Sequence, residues 1–217
     1  MTKGKWRITL WAIVDQQSNI WEIDNLPNRL TLFRVVLIPI IVGFLYLIKF
    51  TVIPEEILKY GILASFFFFI ASVTDFFDGY IARKRNIETI IGSFLDPIAD
   101  KFLVVSSLIM LLSLDRIYDW VVIILVVREL YMTSLRLLAS NQNLSVPVNH
   151  LGKWKTATQM FGIPFLMIGG VWGNIPFNLL GKVFIIISAL LSVISATIYT
   201  LGLLKTVQQK RKLKKVK

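Results

Sequence analysis

The feature that most constrains the fold of this chain is a run of 22 residues, 183–204, without a charged side chain. An α-helix needs about 20 such residues to cross the hydrocarbon core of a bilayer. Five further apolar segments precede this run, at residues 30–48, 60–82, 93–114, 120–139 and 157–173. The pattern predicts an all-α integral membrane protein with six transmembrane helices.

The composition agrees with a membrane protein and excludes several other classes. Hydrophobic residues make up 55% of the chain and charged residues 17%. Soluble globular domains average about 45–50% apolar and about 25% charged residues. The chain has no cysteine, which excludes disulfide scaffolds, thiolate metal sites and cysteine nucleophiles.

The net charge of +11 at pH 7 is spread unevenly along the chain. Cations concentrate in the N-terminal segment, at residues 83–85, at residues 153–155 and in the last twelve residues, whereas the other connections balance Lys and Arg with Asp and Glu. Because Lys and Arg are enriched in cytoplasmic loops, both termini are predicted to face the cytoplasm of a bacterial inner membrane. Anionic membrane lipids would attract this basic face, so nucleic acid is not needed as a partner.

Residues 1–25 precede the first apolar segment and carry Trp6, Leu10, Ile13 and Trp21 close to helical spacing. Cations occupy the start of this segment. The pattern predicts an amphipathic helix that lies on the cytoplasmic surface of the membrane. The chain is therefore divided into this interfacial helix (1–25), a six-helix domain (26–205) and a basic cytoplasmic tail (206–217).

Four carboxylates interrupt the second and third apolar segments: Asp75, Asp78, Asp96 and Asp100. An ionised carboxylate in hydrocarbon costs several kcal/mol, so such residues usually mark function. On helices, the spacing puts each pair on a shared face. The short basic connection predicts an antiparallel hairpin that brings the two pairs together at the cytoplasmic end.

This carboxylate group suggests a metal site for phosphate chemistry. Oxygen ligands without His or Cys favour hard ions such as Mg²⁺ or Mn²⁺, and four carboxylates can hold two ions that clamp a phosphate. Gly79, Gly92 and the small Ala82 leave room for a substrate or a neighbouring helix, and Arg83 can pair with phosphate. In the alternative, the aspartates cap helices or pair with nearby cations. Four of them at these spacings make that alternative the weaker one.

The pattern D-x2-D-G-x2-A-R-x8-G-x3-D-x3-D, met in full at residues 75–100, resembles the signature of the CDP-alcohol phosphotransferases. This resemblance implies six transmembrane helices, a homodimer and a two-metal site that opens to the cytoplasm. It implies that Asp75, Asp78, Asp96 and Asp100 ligate the metals and that Asp100 also acts as the base. It further implies that the CDP moiety is bound by Gly79, Ala82 and Arg83.

Flanking segments extend the resemblance. The sequences NLPNRLTLFRVVLIP, VREL, SLRLLA and HLGKWKTATQM are similar to the bacterial branch of the family that joins CDP-diacylglycerol to sn-glycerol 3-phosphate. The resemblance implies that Asn28 and Thr31 face the metal or pyrophosphate region. The alternative for Asn28 is a helix cap, for which asparagine is well suited.

A phosphorylated acceptor requires cations in its pocket. Arg128 and Arg136 lie a little over two helical turns apart, so their long side chains can reach a common side. Lys153 and Lys155 follow before the fifth apolar segment, and we expect these four residues to bind the acceptor phosphate. In the alternative, Arg128 pairs with Glu129 or with a backbone carbonyl, and Lys155 extends to the membrane interface.

Two other functions remain open at this stage. The chain could be a CDP-alcohol phosphotransferase with another acceptor, namely inositol phosphate, serine or an amino alcohol. It could also be a divalent-cation transporter that uses the aspartates as its ion site, although transport leaves Gly79 and Arg83 without a purpose. Release of CMP would distinguish an enzyme from a transporter.

Overall fold

The structure is a computed structural model that describes residues 26–85, 90–142, 144 and 150–215. This part of the chain forms helices and contains no β-strand, which confirms the all-α prediction. The interfacial helix predicted for residues 1–25 lies outside the described residues. The helices are α1 (Leu26–Phe50), α2 (Pro54–Arg85), α3 (Ile90–Ser113), α4 (Asp119–Asn141), α5 (His150–Ile168) and α6 (Phe177–Lys215).

Each predicted apolar segment falls on one of these helices, but two boundaries differ. The fifth segment was predicted to end at residue 173, whereas α5 ends at Ile168. Gly169 and Gly170 follow with φ angles of 64° and 68°, a left-handed conformation that ends helices. Helix α6 continues beyond the apolar run to Lys215, so most of the basic tail extends the last helix.

Short connections and three polar contacts define two ends of the helical bundle. Lys49 Nζ donates to Ser113 Oγ at 2.9 Å, which places the C-terminal ends of α1 and α3 together. Lys210 Nζ donates to the Gln142 carbonyl at 2.7 Å, which places the ends of α4 and α6 together. Arg116, between α3 and α4, donates to the Leu166 carbonyl near the end of α5 at 3.0 Å. The helices therefore alternate in direction.

The charges differ between these two ends. The end that holds connections 51–53, 114–118 and 169–176 balances cations with acids. Its charged residues are Lys49, Glu55, Glu56, Lys59, Asp115, Arg116, Asp119 and Lys182. The opposite end holds residues 83–85 and the basic C-terminal extension of α6. The sequence predicts that cations concentrate on one face of the membrane, and this asymmetry agrees with that prediction.

The core is built where α1 packs against α2 and α3, and where α5 packs against α2 and α6. Large apolar side chains fill it, among them Leu45, Phe68, Leu111, Ile163 and Ile185, all fully buried. Helix α4 packs mainly against α6. This arrangement places α4, α5 and α6 side by side around the cations that the sequence singles out.

Three of the described helices are long and apolar enough to cross a bilayer, at Thr31–Phe50, Pro54–Thr74 and Phe177–Lys210. Helix α4 carries Asp119, Arg128, Glu129 and Arg136, which sets it apart from these three. Large apolar side chains cover the outside of the bundle, for example Phe66, Leu130 and Leu190, each about 60% exposed. A surface of this kind is suited to lipid, and the chain is a membrane protein.

Candidate functional site

The four aspartates lie on two long, uninterrupted helices. Asp75 and Asp78 lie in the last third of α2, and Asp96 and Asp100 lie in the first half of α3. Each pair therefore has the helical spacing that places its members on one face. The side chains of all four lie outside the described part of the chain, as do those of Asn28, Ala82 and Arg83 and any contacts of Gly79 and Gly92.

The first hairpin brings the start of α1 to the level of the α2 aspartates. Helices α1 and α2 pack against each other along their length and are joined by residues 51–53. Asn28 and Asp75 lie about equally far from this turn, and each residue of a helix advances it by about 1.5 Å. Thr31 and Arg34, further along α1, are fully buried, and both have interaction partners. The polar start of α1 thus lies beside the acidic part of α2.

The four predicted acceptor cations divide into two pairs. Arg128 and Lys155 are buried, with 8% and 7% of their surfaces exposed. Arg136 and Lys153 are exposed. The structure brings Arg128 and Lys155 together around one carboxylate, and it leaves Arg136 and Lys153 at the surface nearer the helix ends.

That carboxylate belongs to Glu129 on α4. Its Oε2 atom accepts a hydrogen bond from Lys155 Nζ on α5 at 2.8 Å and one from Arg128 Nη1 at 3.2 Å. The alternative interpretation of Arg128, that it pairs with Glu129, therefore describes the structure. The group nevertheless retains a net positive charge, because two cations share one acid.

Serine residues of α6 complete the surroundings of this group. Arg128 Nε donates to the Ser192 carbonyl at 3.1 Å, and Arg128 Nη2 lies 3.4 Å from Ser195 Oγ. Ser188 Oγ donates to the carbonyl of Lys155 at 3.1 Å. Arg128 thus has three partners, whereas within the described residues the Lys155 ammonium contacts only Glu129.

A cavity of about 50 Å³ lies between α3, α4 and α5 beside this ion group. Its charged lining comes from Lys101, Glu129 and Lys155, and Gln159 and Thr156 add polar groups. One water needs about 10–15 Å³ in the same measure, so the cavity has room for several waters or a small polar group. Lys101 directly follows Asp100 in the sequence, so the cavity adjoins the acidic segment of α3.

The site roles predicted from the sequence do not include Glu129, Lys101 or the α6 serines. Glu129 could have been predicted as a site residue. A carboxylate within an apolar segment is rare, and this holds for Glu129 as it does for the four aspartates. Lys101 is one of the nearby cations that the alternative interpretation pairs with the aspartates. The serines gave no signal, because isolated hydroxyl residues are common in transmembrane helices.

An apolar groove of about 550 Å³ runs along α2 and α5 on the outside of the bundle. At one end it is lined by Ser72 and Val73, within one turn of Asp75, and at the other by Ile62 and Ile168. Phe66, Phe69, Phe161 and Phe165 supply much of its wall. The groove thus connects the level of the α2 aspartates with the lipid-facing surface.

Known proteins resemble this chain over most of its length. The sequence profile of the CDP-alcohol phosphatidyltransferase family matches residues 24–196. A Rickettsia bellii protein named CDP-diacylglycerol–glycerol-3-phosphate 3-phosphatidyltransferase is 39% identical over 81% of this chain and 93% of its own length. A Bacillus subtilis protein of the same name is 41% identical over 71% of this chain and 80% of its own. A rice protein named cardiolipin synthase (CMP-forming) is 37% identical over 67% of this chain and 46% of its own.

Proposed function

Because the chain belongs to the CDP-alcohol phosphatidyltransferase family, we propose that it transfers the phosphatidyl group from CDP-diacylglycerol to sn-glycerol 3-phosphate. The products are phosphatidylglycerophosphate and CMP. Bacterial relatives whose names state these two substrates are 39% and 41% identical to this chain. The rice relative carries a different name at 37% identity, so family membership alone leaves the acceptor to be tested.

The observation that carries the proposal is the cavity between α3, α4 and α5. It brings Lys101, the residue after Asp100, beside Lys155 and Glu129. An acceptor with a phosphate dianion needs cations close to the group that activates its hydroxyl. The cavity supplies such cations next to the segment that carries the proposed base.

In the proposed reaction, an acceptor hydroxyl attacks the phosphorus that bears diacylglycerol. A new phosphorus–oxygen bond forms, the bond between this phosphorus and the CMP oxygen breaks, and CMP leaves with the electron pair of that bond. Asp100 accepts the hydroxyl proton as the attack proceeds. Arg128, Arg136, Lys153 and Lys155 bind the acceptor phosphate, and Lys155 is the one of these four that lines the cavity.

The donor set fits divalent metal ions. The two aspartate pairs lie within helices, whose periodicity places the two members of each pair on one face, and carboxylate oxygens suit Mg²⁺ or Mn²⁺. Asp75, Asp78, Asp96 and Asp100 would hold two ions. When bound, these ions supply positive charge that offsets the charge of the pyrophosphate and of the departing CMP.

The family resemblance supports the remaining substrate contacts. Gly79, directly after Asp78, and Ala82 and Arg83, about one turn further on, bind the CDP moiety, and Asn28 and Thr31 of α1 approach the pyrophosphate. Gly92 allows close approach at the start of α3. The groove along α2 and α5 offers the acyl chains a path that keeps them in the bilayer.

We further propose six transmembrane helices in a bacterial inner membrane, with the site and both termini on the cytoplasmic side. The alternating helix directions and the basic end of the bundle support this topology. Anionic lipids would bind the same basic end. The family resemblance supports a homodimer.

The test uses the full chain purified and placed in vesicles. With CDP-diacylglycerol, sn-glycerol 3-phosphate and Mg²⁺, the protein should release CMP and form phosphatidylglycerophosphate. Metal flux into vesicles without release of CMP would instead identify a divalent-cation transporter. The variant Asp119→Asn, at the opposite end of the bundle, should retain the activity of the wild-type protein.

A further inference from the structure

We propose that Glu129 is a positioning residue that holds the Lys155 ammonium at the cavity between α3, α4 and α5, where it meets the acceptor phosphate. This inference rests on the proposed function and adds to it a residue that acts through another. Glu129 touches neither substrate in this account. It acts by fixing the position of the Lys155 ammonium.

The position of the Lys155 ammonium depends on Glu129. Lys155 Nζ lies 2.8 Å from Glu129 Oε2, and both residues line the cavity. Lys155 is buried, with 7% of its surface exposed, so few groups other than Glu129 can compensate its charge. A buried charge without a partner is costly, so the side chain would leave this position if Glu129 lost its charge.

Arg128 depends less on Glu129 than Lys155 does. Arg128 also donates to Glu129, but it has a backbone carbonyl and a serine hydroxyl of α6 as further partners. Loss of the Glu129 charge therefore leaves Arg128 with two of its contacts. The two cations differ in how far they depend on the acid, and Lys155 depends on it more.

The charges at the cavity favour the binding of an anion. Lys101, Glu129 and Lys155 line the cavity, and Arg128, which does not line it, also pairs with Glu129. These four described residues carry three positive charges and one negative charge, which leaves an excess of positive charge for a phosphate dianion. Glu129 thus fixes a cation without cancelling the attraction of the cavity for an anion.

The experiment compares steady-state kinetics of Glu129→Gln with those of the wild-type enzyme. The KM for sn-glycerol 3-phosphate should rise by about tenfold, the usual consequence of losing one charge-assisted hydrogen bond. The KM for CDP-diacylglycerol should stay within twofold, where twofold is about 0.4 kcal/mol. Glu55→Gln, an exposed acid at the start of α2, is the matched control and should leave both values unchanged.

A double variant separates positioning from folding. If Glu129 acts through Lys155, Glu129→Gln should add little to the rise in acceptor KM that Lys155→Met causes alone. Independent, multiplicative effects of the two changes would overturn the inference. If Glu129→Gln does not fold, Glu129→Asp, whose shorter side chain retracts the carboxylate, should raise the same KM. An unchanged acceptor KM in that variant would overturn the inference.

The outcomes distinguish this inference from the proposed function. A wild-type protein that uses an acceptor without phosphate would refute the proposed acceptor and, with it, this role of Glu129. A wild-type protein that uses sn-glycerol 3-phosphate, combined with equal changes in both KM values for Glu129→Gln, would refute only the positioning role.

Discussion

Gly61 on α2 lies against the Met167 carbonyl on α5, so closely that a Cβ atom added to Gly61 would come within 2.5 Å of that oxygen. Backbone atoms form this contact and cannot move aside as a flexible side chain would. The two helices that frame the apolar groove are therefore held in register by a glycine. Any larger residue at this position has to separate α2 from α5.

The first prediction follows from this contact. Gly61→Ala should lower the free energy of unfolding by about 1–3 kcal/mol, the usual cost of overpacking. Gly43→Ala is the matched control, because it is also helical and has open space around its added Cβ. Thermal unfolding in detergent measures both. Equal stability of the two variants would show that α2 and α5 do not approach as closely as described.

The second prediction concerns the connection after α5. Gly169 has a φ of 64°, and a Cβ added there would lie 2.6 Å from Arg116 Cζ. Burial lowers the pKa of Arg116, and the Leu166 and Met167 carbonyls offset its loss of hydration. Gly169→Ala should thus destabilise the protein by the backbone strain of about 1–2 kcal/mol and by the loss of this contact.

The control for Gly169→Ala is Gly173→Ala. Gly173 has a similar φ of 61° and nothing near its added Cβ, so it carries the strain without the clash. The difference between the two melting temperatures isolates the contribution of Arg116. If Gly173→Ala is the more destabilising of the two, Arg116 does not hold the end of α5.

The third prediction tests the base. Asp100→Asn should reduce kcat by about 10²–10⁴-fold, the range expected when a general base is removed, because asparagine cannot accept the hydroxyl proton. CMP release and metal content are measured on the same preparation. Near-normal turnover with metal still bound would show that Asp100 is not the base.

The fourth prediction tests an exposed acceptor cation. Arg136→Met should raise the KM for sn-glycerol 3-phosphate by about tenfold and leave the KM for CDP-diacylglycerol nearly unchanged. Lys205→Met, a cation after the apolar part of α6, controls for the general loss of positive charge. A rise of equal size in both KM values would remove Arg136 from the acceptor pocket.

Features that depend on neighbouring residues in the chain could be predicted from the sequence. Apolar runs located the helices, and the spacing of the aspartates predicted that each pair shares a helix face because helical periodicity is regular. The end of α5 was wrong by several residues. A run of apolar residues does not show where the backbone conformation changes. Helix α5 ends where Gly169 and Gly170 adopt the left-handed conformation.

The polar group around Glu129 required the tertiary structure. It joins residues of α4, α5 and α6 that are far apart in the sequence, such as Arg128 and Ser192. Periodicity within one helix carries no information on which helix lies opposite. The same limit explains why Arg128 and Lys155 come together, whereas Arg136 and Lys153, predicted as part of the same group, lie at the surface.

The central claim, transfer to a phosphorylated glycerol, is tested most directly by competition between acceptors. The purified protein in mixed micelles is given CDP-diacylglycerol and Mg²⁺ with sn-glycerol 3-phosphate, inositol phosphate and serine present together, and the lipid products are separated and quantified. We expect phosphatidylglycerophosphate to form in large excess over the other lipid products and in equal amount with the released CMP. A main product made from inositol phosphate or serine would contradict it.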